Sequence, residues 1–180
     1  YHLWLAFSLL WSGTMAQRIW RDGQGLYRIQ DDARQHVFWM HRFADRELFP
    51  QDWIADYFQS VAPWGYRHLY ELANDLGLEP LSFNKLLPLL LALLTTGLVM
   101  RVSWRLLPLA PAGFFSSVIL NLSLWMKDDL VSGTPRAFAV PLLLGFLWAL
   151  LSENTIATAI AVLATGLFYP PMVIVEGGVL

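Results

Sequence analysis

The sequence predicts an all-α fold, a multi-pass bundle of transmembrane helices with a large extracytoplasmic loop between its first and second spans. Of its 180 residues, 56% are hydrophobic and 14% are charged, whereas a soluble domain carries about 25% charged residues. The charges are also unevenly spread, because residues 17–85 hold 18 of the 26 charged side chains and residues 86–180 hold the other 8. A bilayer accommodates such long apolar stretches, and a water-soluble core does not.

Five apolar segments predict membrane spans, and a sixth begins before the last printed residue. The spans cover about residues 2–17, 85–104, 108–126, 136–152 and 154–169, and the sixth starts at about residue 172. The first segment also fits the apolar region of a signal peptide, but the later spans favour a transmembrane helix. Because the sequence opens and closes inside apolar runs, we expect residues 1–180 to be one membrane domain and the N-terminal portion of a longer protein.

The loop of residues 17–84 carries three predicted amphipathic helices, at about residues 31–44, 51–60 and 63–76. The residues that share a face in these helices are Val37, Met40 and Phe43 or Ala44; Trp53, Ile54, Tyr57 and Phe58; and Tyr66, Leu69, Tyr70 and Ala73. Gly77 is the predicted C-terminal cap of the third helix. Amphipathic helices that bear Trp and Tyr tend to lie at the boundary between lipid and water, which we expect here.

Alternation of the spans places loop 17–84 and loop 127–135 on the same side of the membrane. Arg101 and Arg105 favour a cytoplasmic position for the opposite side, whereas Lys127 argues against it. We expect an integral protein of the bacterial plasma membrane whose long loop faces outside.

The first candidate site is the pair of carboxylates at Asp31 and Asp32, where a loop helix begins soon after the first span. A carboxylate near a membrane surface can act as a general base toward a hydroxyl group or hold a divalent cation. His36 is four residues from Asp32 and shares its helix face, whereas Arg34 points elsewhere and can meet a phosphate. The alternative is structural, because Asp is a good N-cap and complements the helix dipole. One aspartate can cap the helix while the other faces a site.

The second candidate site is the pair Asp128 and Asp129, between the third and fourth predicted spans. It lies on the same side as the first pair, so the two pairs can converge on a metal ion and a phosphate-bearing ligand. Arg136 opens the fourth span and can pair with either aspartate or bind an anionic lipid headgroup. The alternative is a solvated interfacial turn from which Lys127 extends toward water.

Several other functions are excluded by composition and by missing motifs. No basic run predicts binding to nucleic acid. The absence of cysteine excludes disulfides, thiolate zinc sites and a cysteine nucleophile. The sequence also contains no Walker, zincin or nucleophile-elbow pattern.

The two acidic pairs and their positions resemble the GT-C superfamily of membrane glycosyltransferases. In that family a first span is followed by a large extracytoplasmic loop, which opens on an acidic motif that leads into a helix. The stretch DDARQHVFW at residues 31–39 resembles that opening. Asp128-Asp129 occupies the place of the second acidic motif of oligosaccharyltransferase catalytic subunits.

The resemblance implies an enzyme that moves a sugar from a polyprenyl-phosphate-linked donor to an acceptor at the extracytoplasmic face of the membrane. It implies that the catalytic acid is Asp31, with Asp32 as the other candidate. Some members of the family need a divalent metal, which here implies Mg²⁺ or Mn²⁺ at Asp128 and Asp129. The residues expected to contact the substrate phosphate are Arg34, His36 and Arg136.

Two other functions stay open at the level of the sequence. A non-catalytic assembly or scaffolding subunit would use the aromatic loop as a docking surface, and its cell-envelope glycans would not change with Asp31→Asn or Asp32→Asn. A transporter would have broken helices and buried charges near the midplane of the membrane. The charges here lie at the ends of the predicted spans, which makes a transporter the third choice.

Overall fold

Every regular element in the described part of the chain is a helix, which confirms the predicted all-α class. The computed structural model describes residues 1–22 and 29–180. The α-helices are α1 (His2–Asp22), α2 (Asp31–His36), α3 (Trp53–Val61), α4 (Trp64–Asp75), α5 (Pro80–Leu106), α6 (Ala110–Trp125), α7 (Asp128–Val131), α8 (Ala139–Leu151), α9 (Thr155–Phe168) and α10 (Pro171–Gly177). The described residues also contain two 3₁₀-helices. Phe38–Phe43 follows α2, and Pro135–Phe138 leads directly into α8.

Helix α5 is the centre of the bundle and packs against α1, α6 and α8. It has 27 residues and begins at Pro80, rather than at about residue 85 as the hydropathy of the sequence predicts. Proline suits the first turn of a helix, where its missing N–H would have no partner. Because α5 begins early, Pro88 lies inside the helix and not at its start. It therefore has no N–H to donate to the carbonyl oxygen of Asn84, one helical turn earlier.

Helices α1 and α5 pack against each other and run in opposite directions. Tyr1, before α1, lies against Trp104 near the end of α5, with their ring centroids 5.1 Å apart. At the other end of α5, the side-chain amide of Asn84 donates a hydrogen bond of 2.9 Å to the carbonyl oxygen of Ser132. The long loop and residues 127–135 therefore meet at the same end of the bundle, called here the loop end, as the alternation of the helices predicts.

The bundle is apolar on its outer surface and polar in parts of its interior. Large apolar side chains that are exposed on α1, α6 and α9 include Leu3, Leu10, Phe115, Ile119, Ile156, Ile160 and Leu163. In the interior, the Ser12 hydroxyl donates to the side-chain oxygen of Asn121 at 3.1 Å, and the Asn121 amide donates to the Thr96 hydroxyl at 2.9 Å. The remaining buried side chains are mostly apolar.

Within the described residues, α5 is the one helix that is long and apolar enough to cross a membrane. Half of its most apolar window is buried inside the protein. The apolar helices Ala110–Trp125, Pro135–Leu151 and Thr155–Phe168 are shorter. A buried core helix of a soluble protein also meets this criterion. By itself, α5 is therefore weak evidence for a membrane protein over a soluble one.

The prediction of a single loop helix at about residues 31–44 is wrong. The backbone N–H of Val37 donates to the carbonyl oxygen of Ala33, but the N–H of Met40 donates to Val37, so the spacing of the hydrogen bonds falls from four residues to three. The buried side chains of Val37 and Met40 and the partly buried Phe43 recur every three residues. That repeat keeps side chains on one face of a 3₁₀-helix, which explains the change.

The two other predicted loop helices are confirmed as α3 and α4. Asp52 caps α3 by accepting hydrogen bonds of 2.9 and 3.0 Å from two backbone N–H groups of the first turn. Helix α4 buries Tyr66, Tyr70 and Ala73, as their spacing predicts. Gly77 follows the helix with a φ of +84°, which confirms it as the glycine that ends α4.

Candidate functional site

Asp31 and Asp32 occupy the first turn of α2, but neither caps it. The side-chain oxygen of Gln30 accepts a hydrogen bond of 3.1 Å from the backbone N–H of Ala33, which makes Gln30 the N-cap. Asp31 is exposed and Asp32 is partly buried. Among the described residues, neither carboxylate forms a hydrogen bond or an ion pair, so both can act on a ligand.

Arg34 and His36 lie on the same short helix as the first acidic pair. Arg34 is exposed, and His36 is partly buried with its ring edge-on to Phe58 at a centroid distance of 5.0 Å. Burial lowers the pKa of His36, and the nearby Asp32 carboxylate raises it in part. His36 is therefore neutral at pH 7, where it can donate a hydrogen bond to a phosphate but adds no full positive charge.

The second acidic pair contributes one ion pair to the structure. Nε of Arg136 lies 2.9 Å from Oδ1 of Asp129, which confirms that Arg136 pairs with this stretch. Asp128 begins α7, and its side chain lies outside the described part of the structure. Asp129 and Arg136 also line a pocket together with Tyr169 and Met172.

Residues next to the two acidic pairs line one cavity at the loop end of the bundle, although Asp31, Asp32 and Asp129 are not among its described lining residues. Gln30, directly before Asp31, and Val131, at the end of α7, both line this cavity, which encloses about 590 Å³ including its open mouth. The other lining residues are Ala16, Trp20, Ile29, Leu81, Asn84, Lys85, Pro88, Leu89 and Trp125. We call it the loop-end cavity. The structure thus brings together two stretches that lie about a hundred residues apart in the sequence.

Asn84 and Lys85 are lining residues that the reasoning from sequence missed. They stand side by side at the point where the polar loop gives way to the apolar run of α5. A lysine at such a boundary usually extends toward the headgroup level, so its position was the available signal. Because the rest of the cavity wall is mainly apolar, the Lys85 ammonium group gives the cavity a cation suited to a phosphate.

A buried hydrogen-bond network fixes the segment that follows α7. The hydroxyls of Tyr66 and Tyr70 donate to the carbonyl oxygen of Gly133 at 3.2 and 3.0 Å. The Asn84 side-chain amide donates to the Tyr70 hydroxyl at 3.0 Å and to the Ser132 carbonyl oxygen at 2.9 Å. Sequence reasoning missed this role of the two tyrosines, since their helical spacing indicated only a buried face.

Burial is the largest influence on the pKa of both tyrosines. It raises the pKa of Tyr70 to about 12, although the hydrogen bonds with Asn84 and Tyr66 act in the opposite direction. Burial also raises the pKa of Tyr66 well above its ordinary value, and the neighbouring Tyr70 adds to this effect. Both hydroxyls therefore stay protonated at physiological pH and act as hydrogen-bond donors.

Glycine is required at position 133. Its φ of +59° lies in the left-handed region, which residues with a Cβ rarely adopt. A Cβ there would lie 2.5 Å from Nδ2 of Asn84 and 3.0 Å from the Asn84 carbonyl oxygen. The close contact between α5 and the segment after α7 therefore depends on the missing side chain.

A metal at Asp128 and Asp129 stays a prediction. Across residues 1–22 and 29–180, no three His, Asp or Glu side chains are grouped so as to hold a metal ion. The Asp129 carboxylate is already shared with Arg136. Because Mg²⁺ and Mn²⁺ need several oxygen ligands, the described side chains do not form such a site on their own.

Comparison with known proteins finds no matching family model, no matching curated protein and no matching solved structure. The resemblance to the GT-C superfamily therefore stays a prediction from the acidic motifs and the order of the helices.

Proposed function

We propose that this chain is a multi-pass membrane protein that transfers a sugar from a polyprenyl-phosphate donor to an acceptor, with Asp31 as the general base. The observation that carries the proposal is that Gln30, directly before Asp31, and Val131, two residues after Asp129, line one cavity. The cavity combines apolar walls with the Lys85 ammonium group, as a lipid-linked phosphate requires. Asp32 is the second candidate for the base.

The distribution of polar residues supports several helices in lipid. Helices pack in a bilayer through small and polar side chains, as Ser12, Thr96 and Asn121 do here, while their outer faces stay apolar. Helix α6 has 16 residues. It therefore covers roughly 24 Å of a hydrocarbon core about 30 Å thick. The loop helices lie at one end of the bundle, where they can cover the helix ends that such short spans leave near the lipid.

The loop-end cavity suits the two parts of a polyprenyl-phosphate donor. The side chains of Trp20, Leu81 and Trp125 provide apolar surface for the first isoprene units. Lys85 and Asn84 provide an ammonium group and an amide for the phosphate. We infer that the cavity opens at the extracytoplasmic face, with the long loop outside the plasma membrane.

The proposed reaction needs one carboxylate and a set of cations. Asp31 takes the proton of the acceptor hydroxyl while the acceptor oxygen forms a bond to the anomeric carbon of the sugar. The bond between that carbon and the phosphate oxygen breaks, and its electron pair leaves with the polyprenyl phosphate. Lys85 and Arg34 stabilise the charge that develops on this leaving group. Arg136 forms an ion pair with Asp129, in a pocket separate from the loop-end cavity, and belongs to the positioning residues.

The proposal is tested by measuring sugar transfer from a panel of polyprenyl-phosphate sugars in membranes that contain the full-length protein. We expect Asp31→Asn to lower the rate about 10²- to 10⁴-fold, the usual contribution of a general base. Asp75→Asn, at the end of α4, is the matched control and should keep the wild-type rate. Wild-type rates in both Asp31→Asn and Asp32→Asn would exclude the enzyme and favour the scaffolding interpretation.

A further inference from the structure

A second pocket, between α3 and α4, shares no lining residue with the loop-end cavity. Its polar side chains include Asp56, Gln59, Ser60, Arg67 and His68, and Trp64 forms an aromatic wall. We call it the α3–α4 pocket. It lies entirely within the long loop and takes no part in the proposed transfer of sugar.

Arg42 also lines this pocket, but its guanidinium group is used to hold the loop together. Nη1 donates to Oδ1 of Asp56 at 2.7 Å and to Oε1 of Gln59 at 2.8 Å. Nε and Nη2 donate to the carbonyl oxygens of Leu48 and Phe49 at 3.1 and 2.6 Å. Asp56 therefore compensates the charge of Arg42, and neither group is left for a ligand.

Arg67 has no such compensation. Its Nε is buried and has no hydrogen-bond partner within the described part of the chain, and no carboxylate there forms an ion pair with it. A buried N–H without an acceptor costs free energy, particularly on a charged group. An anion seated in the α3–α4 pocket, which Arg67 lines, would compensate its charge.

The surroundings of the pocket indicate that this anion belongs to a lipid. Helix α3 exposes Trp53 and Tyr57, with 86% and 60% of their surfaces accessible. Trp64 at the start of α4 is exposed as well. Gly65 packs so closely on the ring of Phe168, the last residue of α9, that a Cβ there would lie 2.7 Å from it. The pocket therefore lies at the level where a helix of the bundle ends, beside aromatic side chains typical of the lipid–water boundary.

We propose that the α3–α4 pocket binds the phosphate of an anionic phospholipid headgroup, with Arg67 as its principal ligand. A guanidinium group binds a phosphate through charge-assisted N–H bonds, and Arg67 lines the pocket without an ion pair to any described carboxylate. Ser60 and His68 line the same pocket and can contact the headgroup. The exposed aromatic face of α3 lies against the start of the acyl chains. This inference shares the membrane location with the proposed enzyme but uses different residues.

Native mass spectrometry of the detergent-solubilised full chain tests the inference. Phosphatidylglycerol and phosphatidylcholine are titrated separately, and the lipid that stays bound is counted. We expect the wild type to retain phosphatidylglycerol preferentially and Arg67→Gln to weaken its binding about tenfold, as for a charge-assisted hydrogen bond. Arg46→Gln, an exposed arginine of the same loop that does not line the pocket, should stay within about twofold.

Three results would overturn the inference. The first is binding of phosphatidylglycerol by Arg67→Gln as tight as by Arg46→Gln, and the second is equal binding of both lipids by the wild type. The third is competition by inorganic phosphate as effective as that of phosphatidylglycerol, which would make the pocket a site for soluble anions. The second and third results use the wild type alone, so they decide the question even if Arg67→Gln does not fold. The sugar-transfer rate of Asp31→Asn is a separate measurement, so failure of either proposal is recognised independently.

Discussion

The hydroxyl of Tyr70 lies 3.0 Å from the carbonyl oxygen of Gly133, although the two residues are 63 positions apart in the chain. Tyr66 donates to the same oxygen, and Asn84 at the start of α5 donates to the Tyr70 hydroxyl. These bonds join the long loop, α5 and the segment after Asp129 into one unit. The loop-end cavity, which Asn84 lines, depends on the stability of that unit.

Tyr70→Phe should destabilise the protein by about 1–3 kcal/mol, because it removes a buried donor to Gly133 and an acceptor for Asn84. The measurement is denaturant unfolding in detergent micelles, followed by the circular dichroism of the helices. Tyr57→Phe is the matched control, since the Tyr57 ring is exposed and its hydroxyl has no partner among the described residues. We expect the control to change stability by less than about 0.5 kcal/mol. Equal effects of the two changes would show that the network contributes nothing.

Gly133→Ala should be more harmful than an ordinary glycine replacement. The left-handed backbone alone costs about 1–2 kcal/mol for a residue with a Cβ, and the contact with the Asn84 carbonyl oxygen adds to this, because a helix backbone cannot shift freely. Gly145→Ala in α8 is the control, because a Cβ there meets no atom within 4 Å. Alanine favours helix by up to about 1 kcal/mol, so the control should be neutral or stabilising. Unfolding midpoints that move together would contradict the prediction.

Stability should decline at alkaline pH. An unfolded tyrosine has a pKa of about 10, whereas burial raises the pKa of Tyr70 to about 12 and also raises the pKa of Tyr66. The folded state therefore binds these protons more tightly. The resulting stability is complete below about pH 10 and is lost as the pH rises toward the folded pKa values.

The free energy of unfolding of the wild type and of Tyr66→Phe/Tyr70→Phe, measured from about pH 8 to about pH 11, tests this dependence. The wild type should lose stability more steeply above about pH 10 than the double variant does. Parallel curves would show that the two hydroxyls are not the groups responsible.

The sequence was sufficient to predict a helix where the spacing of the apolar side chains fits only one kind of element. The spacing of Tyr66, Tyr70 and Ala73 predicts both the helix and the buried face of α4, and Gly77 predicts its end. It was insufficient at residues 31–44, where Val37 and Met40 fit both a four-residue and a three-residue hydrogen-bond pattern. Tertiary burial of these side chains decided between the two patterns.

The candidate site was predictable only in part. The alternation of helices predicts that the two acidic stretches reach the same end of the bundle, which agrees with the positions of Gln30 and Val131. Sequence preference favours an aspartate as the N-cap of α2, but the longer side chain of Gln30 reaches the N–H of Ala33 and takes that role. Lys85 and the tyrosine network were missed because packing between distant residues creates them.

Crosslinking in native membranes tests most directly whether the two acidic stretches meet at one cavity. Residues 1–180 contain no cysteine, so an introduced pair provides the only thiols in this part of the protein. A short bismaleimide should join Gln30→Cys to Val131→Cys in high yield, read as a crosslinked peptide by mass spectrometry. Gln30→Cys with Glu153→Cys is the control, because Glu153 follows the far end of α8. A yield for the Gln30 and Val131 pair no higher than that of the control would contradict the shared cavity and the enzyme proposed from it.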